Sequence, residues 1–129
     1  MAGRDWAAFP NPRRSAKTPP VIAKTPEPPY WAVIFSSLRM PGDEGYGAMA
    51  GAMEALAAQQ PGYLGFESAR DSGLGLAVSY WSDLESIAAW RAVLAHAAAQ
   101  AKGRERWYEA YTVRIARVER AYDWTRDKG

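Results

Sequence analysis

The side chains in this chain with the most chemical reach are its aromatics: six Trp, seven Tyr and three Phe. Trp81, Trp90, Trp107, Tyr108 and Tyr111 fall on or beside one expected helix and the strands around it. That helix is rich in alanine, and an earlier one carries Gly47, Ala48, Gly51 and Ala52. Small helical faces opposite large rings can bound a flat, apolar pocket. Its occupant would be a small apolar or aromatic molecule, with a polycyclic ring system suiting it well. The same pattern also describes tight packing of helices on a sheet, with the rings as core and no cavity. The residue types leave both readings open.

Other chemistries find little support. His96 is the sole histidine, and no second histidine or carboxylate stands four residues from it in a metal-ligating pattern. No metal site is expected. The absence of cysteine excludes disulfides, thiolate nucleophiles and thiolate metal sites, and fits a reducing compartment. Gly73-Leu74-Gly75 has no helix after it, so it reads as part of a hairpin rather than a phosphate loop. No nucleophile elbow or local Ser-His-Asp signature is present. A net charge of +2 implies no strong field for polyanions. The densest arginines, Arg104, Arg106, Arg114, Arg117 and Arg120, read as a solvated face and not as a nucleic-acid site. No apolar run approaches the ~20 residues of a membrane span. The N-terminus lacks the apolar core of a secretory signal, so a cytoplasmic location is expected.

The elements that would position the aromatics can be read in order. Residues 1–29 hold seven of the nine prolines. Proline lacks the N–H and fixes φ, so this is an extended tail and not a helix or central strand. Trp6 and Phe9 within it suggest docking, on the chain's own domain, on a partner subunit or on another protein; a solvated extension is the plainer alternative. One domain is expected over 30–124, with a short tail at 125–129. Its first strand is Tyr30 to Ser37, β-branched and aromatic. A helix follows from about Glu44 to Gln60, with Tyr46, Met49, Met53, Leu56 and Gln60 on one face, and Pro61-Gly62 ends it. Strands at Tyr63 to Arg70 and Leu74 to Trp81 form a hairpin through Asp71-Ser72-Gly73, with Gly73 expected at positive φ. A second helix starts at Ser82 or Asp83, with Ser82 and Glu85 at capping-box spacing, and breaks near Lys102-Gly103. Arg104 to Tyr108 adds a further turn. The last strand is Tyr111 to Ala121, and Val118, out of phase with Val113 and Ile115, suggests a bulge.

The order β-α-β-β-α-β predicts an α+β, ferredoxin-like domain with a four-stranded antiparallel sheet and both helices on one face. The first strand is apolar or small on both parities: Trp31, Val33 and Phe35 on one, Ala32 and Ile34 on the other. A sheet with two apolar faces needs a second partner. Two copies packed sheet to sheet supply it, so a homodimer is expected.

Three segments carry a resemblance: Gln60-Pro61-Gly62-Tyr63-Leu64-Gly65, Val78-Ser79-Tyr80-Trp81 and Gly103-Arg104-Glu105-Arg106-Trp107-Tyr108. Together they resemble the antibiotic biosynthesis monooxygenase (ABM) family, over about Tyr30 to Ala121. The resemblance implies a dimeric α+β barrel and one of two oxidative chemistries. The haem-degrading branch uses a histidine ten residues after a tryptophan on the second helix, together with an asparagine on the first strand. Here Trp90 matches the tryptophan, but ten residues on stands Gln100, His96 falls short of that place, and the first strand has no asparagine. The cofactor-free branch oxidises anthrone-type aromatics to quinones with O2, the deprotonated substrate itself reducing oxygen. That chemistry needs an apolar pocket, a proton acceptor and a donor for the developing anion.

The expectation is therefore an ABM-like small-molecule-binding protein acting as a cofactor-independent monooxygenase. His96 is the default base, as the one side-chain type that ordinarily titrates near neutrality. Arg91 would stabilise the anion. Tyr63, Trp81, Trp90 and Phe35 would bind substrate. No cofactor is expected, with haem as the alternative. A further alternative is a non-enzymatic dimeric module whose tail binds a protein partner.

Overall fold

The computed structural model describes residues 21–41, 46–101 and 107–126, without the side chains of 46–49 and 97–101. Trp6, Phe9, Glu44, Lys102 to Arg106, and the side chains of Tyr46, Met49 and Gln100, lie outside the described residues. The elements are β1 (Tyr30–Arg39), α1 (Tyr46–Ala58), β2 (Tyr63–Arg70), β3 (Leu74–Trp81), α2 (Leu84–Ala101) and β4 (Tyr108–Val118). All four strands pair antiparallel in the order β2-β3-β1-β4, the ferredoxin-like arrangement expected from the sequence.

Strand register decides which side chains share a face, because alternate residues point to opposite sides. Trp31 pairs with Trp81, Val33 with Ser79, and Phe35 with Ala77. On the other flank Val33 pairs with Ile115, Phe35 with Val113 and Ser37 with Tyr111. These residues form the helix side of the sheet. The core is built there: Trp81, Trp90, Ile87 and Ala57 are buried, and Trp31, Val33, Leu56, Tyr63, Val93 and Leu94 pack against them. α1 lies against β2 and α2 against β3. The most buried described side chains of α1 are small, Ala52 and Ala57, which lets that helix approach the sheet closely.

Several local expectations need correction. Gly73 does not take positive φ; that conformation belongs to Gly62, at φ +84°. A Cβ at Gly62 would run into Ser86, whereas one at Gly73 would meet nothing. Asp83 caps α2, accepting from the Ser86 N–H at 2.7 Å, while the Ser82 hydroxyl turns aside to Asp83 at 2.8 Å. The cap is therefore Asp83, bonded to Ser86, and not the Ser82–Glu85 pair. These bonds hold the exposed Asp83 carboxyl below its ordinary pKa.

Val118 marks no bulge. It pairs with Tyr30 in unbroken register, on the outer face beside that buried ring. β4 starts three residues earlier than expected, and its irregularity falls at the other end, between Leu38 and Arg39, where Glu109 is the extra residue. A second bulge interrupts β2, where Leu64 is inserted between the pairs Tyr63–Trp81 and Gly65–Tyr80.

The outer face is not bare. The stretch leading into β1 crosses it at the Tyr30 end. There the Ala23 N–H donates to Glu67 at 2.9 Å, and the Thr25 hydroxyl donates to Tyr30 at 2.8 Å. Tyr80 donates to the other oxygen of Glu67 at 2.7 Å, and the Tyr30 and Tyr80 rings meet edge to face. A Cβ at Gly65 would press into Ala23, so the glycine leaves room for this crossing. At the opposite end Leu38, Leu74 and Leu76 remain exposed on the same face.

Candidate functional site

Of the four side chains expected to bind substrate, three converge in one packed cluster. Trp81 and Trp90 stack with centroids 6.0 Å apart and planes 25° apart, and Tyr63 meets Trp81 edge to face at 5.7 Å. Trp81 is fully buried and Trp90 is 5% exposed. The Trp81 indole N–H donates to Ser79 at 2.8 Å; the two are neighbours on one side of β3, so this buried donor is satisfied within its own strand. The two tryptophans thus fill space between sheet and helices.

Phe35, the fourth, stands apart from them on the same face. Its ring contacts Tyr108 (5.5 Å, edge to face) and Tyr111 (5.3 Å, tilted), which also touch each other at 5.7 Å. Beyond this triad Val113 and Ile115 continue along β4, 45% and 40% exposed. The helices pack over β2 and β3, which leaves this aromatic and aliphatic strip over β1 and β4 accessible among the described residues. Tyr108 reaches the strip because Glu109 is the extra residue of its bulge. Met40 donates its N–H to the Trp107 carbonyl at 2.9 Å, which fixes the start of β4 against the end of β1.

His96 and Arg91 are both exposed on α2. At about 100° per residue they stand roughly 140° apart around the helix: Arg91 flanks the core-facing side marked by Ile87, Trp90 and Leu94, and His96 lies nearly opposite that side. The fold does not bring these two together. It does bring Glu54 of α1 close to Tyr63 of β2. Burial raises the Glu54 carboxyl above its ordinary pKa; burial first, then the Glu54 charge, raises the Tyr63 phenol.

Arg70 is a fixed side chain that sequence reasoning did not single out. It lies across Gly75 and donates to the buried hydroxyl of Ser37 at 2.6 Å. Its signal in the sequence was faint: an arginine ending one strand and a glycine opening the next. Among the described residues no group of three or more His, Cys, Asp or Glu is placed to hold a metal ion, and no helix is long and apolar enough to cross a membrane.

Residues 43–102 match the family model for antibiotic biosynthesis monooxygenase. The chain is also 54% identical over 100 residues to the uncharacterized protein YqjZ of Bacillus subtilis strain 168, covering 77% of this chain and 88% of that one. The chain belongs to the ABM family. A crystal structure of the NE2512 protein of unknown function from Nitrosomonas europaea shares the fold, with a TM-score of 0.54 at 14% identity over 75% of this chain and 96% of that one. Family membership supports a small-molecule-binding ABM protein, and the open strip on its helix side is where the described residues offer a ligand surface.

Proposed function

We propose that this ABM protein oxidises an aromatic or quinol-type substrate with O2, without a cofactor. The observation that carries the proposal is the Phe35–Tyr108–Tyr111 triad on the helix side of the sheet, half-buried at Phe35 and Tyr108 and exposed at Tyr111 and the neighbouring Val113. Aromatic rings pair favourably with a planar ring system at such distances. For an anthrone the balance is a CH2 group and O2 giving a ketone and water, so the substrate supplies all the electrons. The protein's part is to hold the ring and take the first proton. His96 takes that proton and Phe35 carries the ring, while Trp81, Trp90 and Tyr63 pack the core beside the strip. The protein acts as a homodimer, joined through the outer face that carries Leu38, Leu74 and Leu76.

The test is O2 uptake with a panel of anthrones and quinols, measured above their spontaneous oxidation. Uptake should be catalytic in protein and fall at least tenfold in Phe35→Ala. No acceleration with any member, together with a saturable Soret shift on hemin addition, would replace this proposal with haem chemistry. Unchanged turnover in His96→Ala would remove that residue from the mechanism.

A further inference from the structure

Beyond β4 the chain continues as an arm, residues 119–126, without helix or strand. The arm carries the two most exposed aromatic rings among the described residues, Tyr122 at 99% and Trp124 at 75%. The Arg126 guanidinium lies over the Trp124 ring, 5.4 Å from its centroid, and belongs to the same arm. The outer face of the sheet holds a second apolar surface in water. Leu38, Leu74 and Leu76 are 41%, 51% and 45% exposed, and Leu38 pairs with Leu74 across the strands. The arm and the patch stand at opposite ends of the sheet. Val118 pairs with Tyr30, so the arm leaves at the Tyr30 end, already crossed by Ala23 and Thr25. Leu38 is eight residues along β1 from Tyr30, about 27 Å at the usual rise. Trp124 is six residues past Val118, at most about 22 Å of fully extended chain. β4 also runs away from the patch, so part of that length goes into turning back. The arm is too short to lay Trp124 on the patch of its own chain.

We propose that residues 119–126 are a latch onto a second copy of this chain, with Tyr122 and Trp124 seated on Leu38, Leu74 and Leu76 of the partner subunit. Two copies can pack outer face to outer face with their strands running in opposite directions. The Tyr30 end of each then lies over the Leu38 end of the other, and each arm starts beside the patch it covers. The stretch through Ala23 and Thr25 fits this orientation, because it fills the end of the face that has no leucine patch. A two-fold axis makes the contact twice. A covered Tyr or Trp buries about 150–250 Å², so the four rings of a dimer bury roughly 600–1,000 Å². The matching area beneath them brings the total to about 1,200–2,000 Å², the size of a stable interface. The inference rests on the homodimer proposed above and adds its orientation and the segment that fastens it.

The experiment takes the full-length protein through two measurements. Sedimentation equilibrium should give a wild-type dimer whose dissociation constant rises by about tenfold or more in Trp124→Ala and in Leu74→Ser, as for an anchor residue at an interface. Both positions are exposed, so each variant should keep the circular dichroism spectrum of the folded protein. The second measurement uses the absence of cysteine from the chain. Gly73→Cys adds a thiol beside Leu74, where a side chain meets open space, and Thr125→Cys adds one beside Trp124. Mixing these two single variants with a short bismaleimide should give a covalent dimer whose digest contains the 73–125 link, which in this mixture forms only between chains. The yield should fall when the Thr125→Cys chain also carries Trp124→Ala. A dimer unaffected by Trp124→Ala, or a mixture without the 73–125 link, overturns the latch and leaves the homodimer standing. A wild type that sediments as a monomer overturns both.

Discussion

Trp90 is where a core and a pocket wall make different numerical predictions. Its ring is 5% exposed, stacked on Trp81 and flanked by Ile87, Ala57 and Leu94. A tryptophan buries about 150–250 Å². At about 25 cal/mol per Å² that is roughly 4–6 kcal/mol. Correcting for a compact unfolded chain lowers it to about 3–5 kcal/mol, which agrees with the usual range for Trp→Ala in cores. Trp90→Ala should therefore remove a large share of the stability of a domain of this size. Trp90→Phe, which keeps a ring against Trp81, should cost about 1–2 kcal/mol. The assay is urea unfolding followed by far-UV circular dichroism, with near-UV signals reporting loss of the stacked pair. Both variants fold well enough to measure if the wild type lies above about 5 kcal/mol; otherwise Trp90→Phe carries the comparison. A ring lining an open pocket has little to lose on truncation, about 1 kcal/mol or less. A cost that small for Trp90→Ala would refute its place in the core and return it to the ligand surface.

Two further outcomes follow from local geometry and from protonation. Gly62→Ala should cost about 2–4 kcal/mol, combining a left-handed backbone with a Cβ that runs into Ser86, while Gly73→Ala should change stability by less than about 0.5 kcal/mol; equal effects in thermal or urea unfolding would refute the assignment. Burial, then the hydrogen bond and charge of Glu67 and the neighbouring Tyr30, push the Tyr80 phenol up to about 12. The folded value is raised above the unfolded one, so this stabilisation is complete below about pH 10 and is lost as pH rises through 12. Solvent screening of a partly exposed group leaves about 1 kcal/mol. Urea stability at pH 9 and pH 11.5 should accordingly fall more steeply in wild type than in Tyr80→Phe, and parallel slopes would contradict it.

The order of elements was legible in the sequence because it rests on local signals. Alternation fixed β2 and β3 at their observed bounds, Pro61-Gly62 stopped α1, and the Ser82-Asp83 pair announced α2. These depend on backbone propensity and capping within a few residues, so a linear reading captures them. The parity of Trp31, Val33 and Phe35 likewise put them together on one face. The exact cap, the true positive-φ glycine and the two bulges were not legible. Each depends on which atoms a neighbouring element brings close: Ser86 against Gly62, or the pairing partner of Leu38.

What only the tertiary structure decided is which aromatics are sealed in the core and which stay partly accessible. Trp81, Trp90 and Phe35 look alike in a list of residue types. The lateral position of the helices over β2 and β3 separates them, sealing the two tryptophans and leaving the β1–β4 strip open. Residues 21–29, the described part of the proline-rich stretch before β1, carry no helix or strand. Its contacts with Glu67 and Tyr30 come from residues far along the chain or held by the sheet, which no local pattern encodes. The row of Arg70, Gly75, Ser37 and Tyr111 is the sharpest case. Four residues, most of them distant in sequence, stand in one row because strand pairing lines them up on one side of a sheet. Sequence determined the elements and the family through short-range preferences; pairing register and helix placement, which are long-range packing choices, determined the site.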